Sequence, residues 1–563
     1  MSKFNATMPV GAQLRDRADA CVNHEGGLAF ELDPRTRLYT RVASALMAEK
    51  KFYEDAKTAD AALLADVAAV AAIDPEFVLR LAAYARQVLN LRSVATVLLV
   101  EAAAIPGCKP FVRAWTPAII RRADEPAEAI AYWVQRHGAI GASGPQGGEH
   151  AFPNCLAKGL ADALRRFDEY QFAKYDRDGS VKLRDVLRIV RPKPTTPTQA
   201  ALYRYLVRGE IDAQLLPKLA AKTALLRKEA FDAEARDLAA TAHATWEVLT
   251  SKFGTSAEVW NALQLPFMAG LKNLANLMRN GADEALDRVI AMLRDPNHVR
   301  RSKQFPFRFL SAYRLIDSGM RPERRDGYVT WVSDPAVANH PRRAAVLEAI
   351  AMALESSVAN LPRLGGVTFV TADNSGSMGD HLSDKTIVSR EEVANLLAAI
   401  AHHMSDEAIC SVFGERHAVV PVIRKDSIVT NMRRLAGTDV GHSTNAWLAI
   451  KHLRETKTRV DRIILFSDMQ CYDSASGWAR ESLAEELRKY RSAVNPGVYV
   501  YSVDLAGNGT SQFPQGERRV ALLAGWSERF LEFIPLFEAD GTQAIDRIAR
   551  WTPPGAREDA EAA

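Results

Sequence analysis

The stretch Gly366-Val367-Thr368-Phe369-Val370-Thr371-Ala372-Asp373-Asn374-Ser375-Gly376-Ser377-Met378 decides how this chain is read. Its first half is a short apolar, β-branched run with the composition of a buried strand. Its second half is Asp-x-Ser-x-Ser, placed where that strand ends. In an open α/β sheet, ligands bind outside the carboxyl ends of the strands. Such a rim offers one carboxylate and two hydroxyls, all hard oxygen donors, a set that suits Mg2+. Asp and Ser are also common helix caps, so the motif alone reads equally well as a polar turn before a helix.

Downstream of the motif the chain alternates strand and helix. Residues 388–404 read as a helix, 408–413 and 417–420 as a hairpin, and 444–456 as a helix. Residues 459–467 (RVDRIILFS) read as a strongly apolar strand, 478–493 as a helix and 498–503 as a strand. Residues 530–534 read as a last strand before a helix at 543–551. This alternation predicts a doubly wound parallel sheet covered on both faces. Two more oxygen donors fall in step with it. Thr444 lies in the loop Gly441-His442-Ser443-Thr444-Asn445, and Asp468 directly follows the apolar strand. Asp439 and Ser443 read as supporting or solvated groups. His402, His403, His442 and Cys471 lack the spacing of a zinc site.

Upstream of the motif the composition changes. Ala, Leu, Arg and Glu dominate, and strand signals are nearly absent. Helices are expected over 61–72, 77–100 with a short break around Leu89-Asn90-Leu91, 110–137, 155–174, 182–191, 197–208, 215–228, 230–252, 256–264, 267–280 and 283–294. Many short helices with short polar joints predict a helical-repeat solenoid without a clean sequence period. The Gly-rich stretch 138–148 is the one flexible insertion of note.

Charge follows the same division. Of 72 Lys+Arg and 68 Asp+Glu, residues 366–563 hold 22 and 27, which leaves 50 and 41 for residues 1–365. The first part is therefore basic and the second acidic. A basic part suits a polyanionic partner, although a modest imbalance is also common in large helical domains. The cations concentrate in Lys174-Tyr175-Asp176-Arg177-Asp178-Gly179-Ser180-Val181-Lys182-Leu183-Arg184-Asp185-Val186-Leu187-Arg188-Ile189-Val190-Arg191-Pro192-Lys193-Pro194. Arg184, Arg188 and Arg191 share one helical face, and Leu183, Val186, Leu187 and Val190 form the opposite, buried one. This arrangement fits a phosphate-binding ridge. Cations near a helix C-terminus also complement its dipole, which accounts equally for Arg188, Arg191 and Lys193. Arg301, Lys303 and Arg308 surround Phe305, Phe307 and Phe309, aromatics able to stack on bases but at core spacing.

A chain of 563 residues calls for two or more domains. Its five cysteines are scattered, odd in number and without a C-x-x-C pair, which fits a reducing compartment. Neither a signal peptide nor a membrane-spanning run is evident, so a cytoplasmic protein with no membrane partner is expected.

Several stretches together resemble the Ro autoantigen family and its TROVE module. They are Asn23-His24-Glu25-Gly26-Gly27 with Phe30, the segments at 81–86 (LAAYAR) and 156–170 (LAKGLADALRRFDEY), the basic segment, and those at 260–274 (WNALQLPFMAGLKNL) and 305–312 (FPFRFLSA). The resemblance implies a ring of HEAT-like helical repeats. Its basic outer face would take small noncoding Y-like RNA, and its hole single-stranded 3′ ends of misfolded RNA. Lys158, Arg165, Lys174, Arg177, Arg184, Arg188, Arg191 and Lys193 are then the candidate RNA contacts. Leu183 and Arg191 stand where the animal proteins carry histidines. The second part resembles the von Willebrand factor A domain. Asp373, Ser375, Ser377, Thr444 and Asp468 match all five positions of its metal-ion-dependent adhesion site, which implies Mg2+ or another divalent cation and an acidic ligand from a partner. With that match, the metal reading overtakes the capping one.

The expected organisation is an arm at 1–20, a TROVE-like all-α module at 21–362, an α/β A-like domain at 363–552 and a disordered tail at 553–563. No P-loop, dinucleotide fingerprint or nucleophile elbow occurs, so binding rather than catalysis is expected. The chain would be a monomeric RNA scaffold, serving quality control or processing beside an exoribonuclease. The alternative is a metal-dependent protein-assembly module with no RNA role.

Overall fold

The computed structural model describes residues 14–44, 56–138, 140, 152–176, 180–325, 328–359, 361–382, 386–474 and 481–554. Arg177, most of the 138–148 insertion and most of the tail lie outside the described residues. The chain divides into two units. One holds residues 1–63, 270–278 and 287–547, and the other residues 64–269, 279–286 and 548–563.

The strands of the first unit are, in chain order, β1 (Ala20–Val22), β2 (Leu28–Glu31), β3 (Met320–Arg325), β4 (Tyr328–Ser333), β5 (Leu364–Asp373), β6 (Ser405–Phe413), β7 (His417–Val420), β8 (Arg462–Ser467), β9 (Tyr499–Asp504), β10 (Thr510–Ser511) and β11 (Val520–Ala524). Six of them form one sheet in the order β11-β9-β8-β5-β6-β7. All neighbours run parallel except β7, the antiparallel edge. The chain leaves β5 for β6 on one side and later returns to β8 on the other. Strand order thus reverses at β5, and the crevice at a reversal is where ligands bind in such sheets. One face is covered by the helix Arg390–Met404. The helices Trp447–Glu455 and Leu483–Ala493 join Phe369, Ile463, Leu465 and Val500 in a core that includes Leu453, Leu487 and Tyr490.

The apolar run at 530–534 is helix, not strand: it belongs to Phe530–Asp540. Phe530, Leu531, Ile534 and Phe537 are its buried residues. That three-to-four spacing is helical periodicity, which a five-residue window cannot display. The last strand is instead β11. Strand is also present where the sequence carries few strand signals, in the β3–β4 hairpin and in a small sheet ordered β1-β2-β10.

That small sheet ties the beginning of the chain to the A-like part. Phe30 and Glu31 of β2 pair with Ser511 and Thr510 of β10. Asp33 caps the helix Pro34–Ala43, and its backbone N–H donates to Gln515 Oε1 at 2.8 Å. Asn23 donates through Nδ2 to the Cys471 carbonyl at 2.8 Å. Gly27 is pressed so closely on Cys471 and Tyr472 that a Cβ there would overlap the Cys471 carbonyl oxygen. Residues 20–44 thus pack in the same unit as the sheet. Gly27→Ala should accordingly lower the stability of this unit by about 1–3 kcal/mol, the usual cost of overpacking. Chemical denaturation followed by tryptophan fluorescence would check it.

The second unit is built of short helices. Local chemistry sets their ends: Asp74, Asp168, Thr196, Asp232 and Ser256 each cap an N-terminus through a side-chain oxygen. Breaks between helices divide stretches that read as single helices. The 110–137 stretch is Lys109–Ile119 and Glu125–His137, and the 155–174 stretch is Asn154–Leu164 and Glu169–Tyr175. Glu125, 1% exposed, accepts from Arg121 N at 2.6 Å, Arg122 N at 3.1 Å and Arg86 Nη2 at 2.7 Å, which locks the first of these breaks. Gly159 meets Thr116 where Asn154–Leu164 packs on Lys109–Ile119. Trp551 stacks edge-on to Tyr84 at 5.7 Å, and the Ala549 carbonyl accepts from Arg80, so residues 549–551 join the helices. Among the described residues no helix is long and apolar enough to cross a membrane.

Candidate metal centre and nucleic-acid interface

Parallel pairing of β5 with β8 aligns Ala372 with Phe466, which brings Asp373 beside Ser467 and one residue short of Asp468. The loop after β5 is held in place by its own chemistry. Ser375 N donates to Asp373 Oδ1 at 2.9 Å, and the Ser375 and Ser377 hydroxyls lie 3.3 Å apart. Gly376 N donates to the His442 carbonyl at 2.9 Å, which draws in the loop that carries Thr444. Tyr472 N donates in turn to the Thr444 carbonyl at 3.0 Å, so the three loops are tied together through backbone. Gln470 N donates to Asp468 Oδ1 at 3.1 Å. All five residues are buried, from 0% exposed at Asp373 to 5% at Ser377.

Two buried carboxylates in one crevice repel each other and resist ionising. Burial, and then the charge of Asp468, raise the acid of Asp373 from 3.8 to about 7. Burial also raises that of Asp468, against hydrogen bonds from Ser377 and Gln470 and the charge of Arg390. The donor set fits a divalent cation: two carboxylates and three hydroxyls are hard oxygen ligands, and a cation would relieve the repulsion. The sign of the pH effect follows from Asp373. The folded chain keeps a proton there that the unfolded chain has released, so the metal-free protein should lose stability as pH rises from 3.8 to about 7. Calorimetry in EDTA across that range would check it.

Two contributors lie outside the five-residue motif. Ser467 donates its hydroxyl to Asp373 Oδ2 at 2.6 Å. Its position just before Asp468 is the one sequence signal for it. Arg390, 4% exposed, feels Asp468, Asp380 and Asp504 together, a grouping that no local spacing announces.

The basic segment lies in the helical unit. Its helix runs Leu183–Val190, with Leu183, Val186, Leu187 and Val190 buried as their spacing requires. Arg184 and Arg188 are turned outward, 52% and 60% exposed, with Asp185 3.7 and 3.9 Å away. Arg191 is exposed too, but it ends the helix in a left-handed conformation (φ 51°) and donates through Nε to the Arg188 carbonyl at 3.3 Å. It therefore caps the helix as well as facing solvent. Arg165 Nε donates to the Lys193 carbonyl at 3.2 Å, and Gln199 Nε2 to the Arg165 carbonyl at 2.6 Å. Arg165, Lys193 and the three arginines thus share one region, and Arg165 is also held by Asp162 at 3.1 Å. Lys158 is exposed on Asn154–Leu164.

Lys174 belongs to a cluster that sequence does not reveal. Its ammonium lies 5.6 Å from the Tyr170 ring and 5.3 Å from the Tyr175 ring. Lys218 approaches Tyr170 at 5.6 Å, and Arg122 approaches Tyr175 at 4.2 Å. These residues are too far apart in the chain for any spacing rule to join them. By contrast, Phe305 and Phe309 of the other aromatic group are buried at 7% and 0%, in keeping with their core spacing.

Comparison with known proteins agrees with both parts. Residues 32–214 and 238–326 match the TROVE domain, and residues 368–538 match the Ro60 vWA domain. The chain is 28% identical over 340 residues to telomerase protein component 1 of Mus musculus, covering 51% of this chain and 13% of that protein. It is 24% identical over 241 residues to RNA-binding protein RO60 of Caenorhabditis elegans, covering 42% of this chain and 34% of that one. The chain therefore spans well under two thirds of these curated relatives. The crystal structure of the Deinococcus radiodurans RO (RSR) protein shares the fold, with a TM-score of 0.59 at 19% identity, covering 88% of this chain and 97% of that one. Helical TROVE module and A-type sheet together define the class. The chain belongs to the Ro family.

Proposed function

We propose that this protein is an RNA-binding scaffold that works by binding rather than by catalysis. Its helical repeats would form a HEAT-like ring that takes small noncoding Y-like RNA on the outside and single-stranded 3′ ends within. The observation that carries the reading is the outward pair Arg184 and Arg188 on a helix whose other face is buried, with exposed Arg191 at its C-terminal end. Such a group can neutralise successive phosphates, and the tyrosines beside Lys174 offer faces on which bases stack. The name of the Caenorhabditis elegans relative, an RNA-binding protein, supports it. The A-type part would hold Mg2+ through Asp373, Ser375, Ser377, Thr444 and Asp468. When bound, the ion supplies a positive charge able to accept an acidic group from a protein partner, such as an exoribonuclease, in the cytoplasm. The chain's own residues position it: Ser467 and the Ser375 amide orient Asp373, and Gln470 orients Asp468.

The test is whether RNA accompanies the full chain from its native host. An absorbance ratio showing bound nucleic acid, with small structured species on sequencing, is expected. A preparation free of nucleic acid whose affinity for small structured RNA is also flat against salt would favour an assembly module without an RNA role.

A further inference from the structure

Residues 366–563 are acidic on balance, yet they gather cations at one place. Arg488 and Arg491 stand three residues apart on the helix Leu483–Ala493, so they share a face. Arg518 and Arg519 follow Glu517 in the segment that leads into β11. Folding joins the two stretches around the Glu517 carboxylate. Arg491 Nη1 lies 3.1 Å from Glu517 Oε1, and Arg488 Nη2 lies 3.8 Å from Oε2. Arg491 Nη2 also donates to the Arg518 carbonyl at 2.6 Å and the Val498 carbonyl at 3.3 Å, which fastens the helix to the segment. Arg519 donates to the Gly497 carbonyl, and its guanidinium lies 4.8 Å from the Tyr499 ring. The Arg518 side chain is exposed and makes no hydrogen bond or ion pair among the described residues. Of the helix's own acids, Glu486 is engaged elsewhere, with Arg454 at 3.0 Å and Lys489 at 2.6 Å. Arg17 also feels the Glu517 charge but is paired with Asp19 at 2.7 Å. Four guanidiniums therefore surround one carboxylate. The charges of Arg519, Arg518 and Arg488 are all felt at Arg491, where they add to the effect of burial in lowering its pKa, against Glu517.

We propose that Arg488, Arg491, Arg518 and Arg519 form a phosphate-binding site on the A-type part, for the phosphates of an RNA strand or of a small phosphorylated molecule. Guanidinium is planar and presents its N–H groups as a fork that matches phosphate oxygens in pairs. Arg491 and Arg519 are held by backbone carbonyls and fix the positive field in place. Arg488 and Arg518, held by one long contact and by none, keep N–H groups for a ligand. One carboxylate leaves most of this charge unbalanced. A doubly charged phosphate or a run of phosphodiesters balances it better than a single further carboxylate would. The site is separate from the metal crevice. Val520 pairs in parallel with Val500, so Arg519 and Gly497 mark the amino ends of β11 and β9. Asp373 and Asp468 stand at the carboxyl ends of their strands, at the opposite end of the sheet. The site also stands apart from the arginines of Leu183–Val190, which belong to the other unit.

The experiment compares three full chains: the unaltered protein, the double variant Arg488→Ala/Arg518→Ala, and Lys425→Ala. Lys425 is an exposed cation just beyond β7, at the far edge of the sheet. Arg491 and Arg519 are left in place because they hold backbone. Filter binding of a small structured RNA across a salt series reads one source of phosphate. The thermal midpoint against inorganic phosphate, at constant ionic strength, reads the other. If RNA is the ligand, the double variant should lose about 1.4–1.8 from the slope of log affinity against log salt and at least about three-fold in affinity. If the ligand is small, inorganic phosphate should raise the midpoint of the unaltered chain but not that of the double variant, and RNA binding should stay the same. Lys425→Ala should match the unaltered chain in both assays. A double variant that equals the unaltered chain in both assays overturns the site, and so does a Lys425→Ala loss as large as that of the double variant. An unaltered chain that binds no RNA removes the scaffold reading, and the phosphate assay then decides the site by itself. Should the double variant fail to fold, Arg518→Glu takes its place: a loss in either assay supports the site, and no loss in both overturns it.

Discussion

Asp373→Ala should abolish the rise in thermal midpoint that Mg2+ gives the unaltered protein. A ligand that binds only the folded state stabilises it by RT ln(1 + [L]/Kd), about 2.7 kcal/mol at one hundred times Kd. For a unit of about 330 residues, at about 2.1 cal/mol/K of unfolding entropy each, that amounts to roughly 4 °C. Asp373 is the substitution of choice because it is fully buried and both its oxygens already have protein donors, Ser375 N and the Ser467 hydroxyl. Without metal the variant has opposing effects. It strands those two donors, at about 1–3 kcal/mol each, but removes a carboxylate that repels Asp468. The decisive quantity is therefore the Mg2+-dependent difference measured within each protein by differential scanning fluorimetry. An undiminished shift in Asp373→Ala would show that the ion binds elsewhere.

Joint replacement of the arginine row should lower both RNA affinity and its salt dependence. Arg184→Ala and Arg188→Ala remove exposed side chains whose ion-pair distances to Asp185 are 3.7 and 3.9 Å. Pairs so long and so exposed contribute little to stability. Position 191 needs a different choice, because its φ of 51° favours glycine and strains alanine. Arg191→Gly keeps the helix end while removing the charge. Each phosphate that is no longer neutralised should reduce the slope of log affinity against log salt by about 0.7–0.9. The triple variant should therefore lose about 2–3 from the slope and at least about ten-fold in affinity at moderate salt. Filter binding of a small structured RNA across a salt series provides both numbers. An unchanged slope would remove the row from the interface whatever the affinity did.

Much of this architecture is legible in the sequence because its signals are local. A strand of six buried residues followed by a lone acid, as in RIILFS-Asp468, states where a buried strand ends and what stands on its rim. The alternation of such strands with helices implies the parallel sheet. The buried face of Leu183–Val190 follows from periodicity, and so does the outward direction of Arg184 and Arg188. Local patterns mislead where the window is too short or the partner too distant. Residues 530–534 look like strand until the pattern is followed to Phe537. The strand Ala20–Val22 is three residues long and gains its pairing only from its neighbour β2.

The class of each part, the candidate set of five oxygen donors and the face on which Arg184 and Arg188 stand are legible in the chain, because they depend on local motifs and on spacing within one helix. Which donors meet was settled only on folding. The folded core placed Asp373 beside Ser467, seated the turn at 23–27 on the loop after Asp468, and gathered Lys174, Lys218 and Arg122 around two tyrosines. The physical reason is that strand order and loop docking are set by the packing of the whole core, across hundreds of residues, and no pattern confined to a few neighbours encodes them.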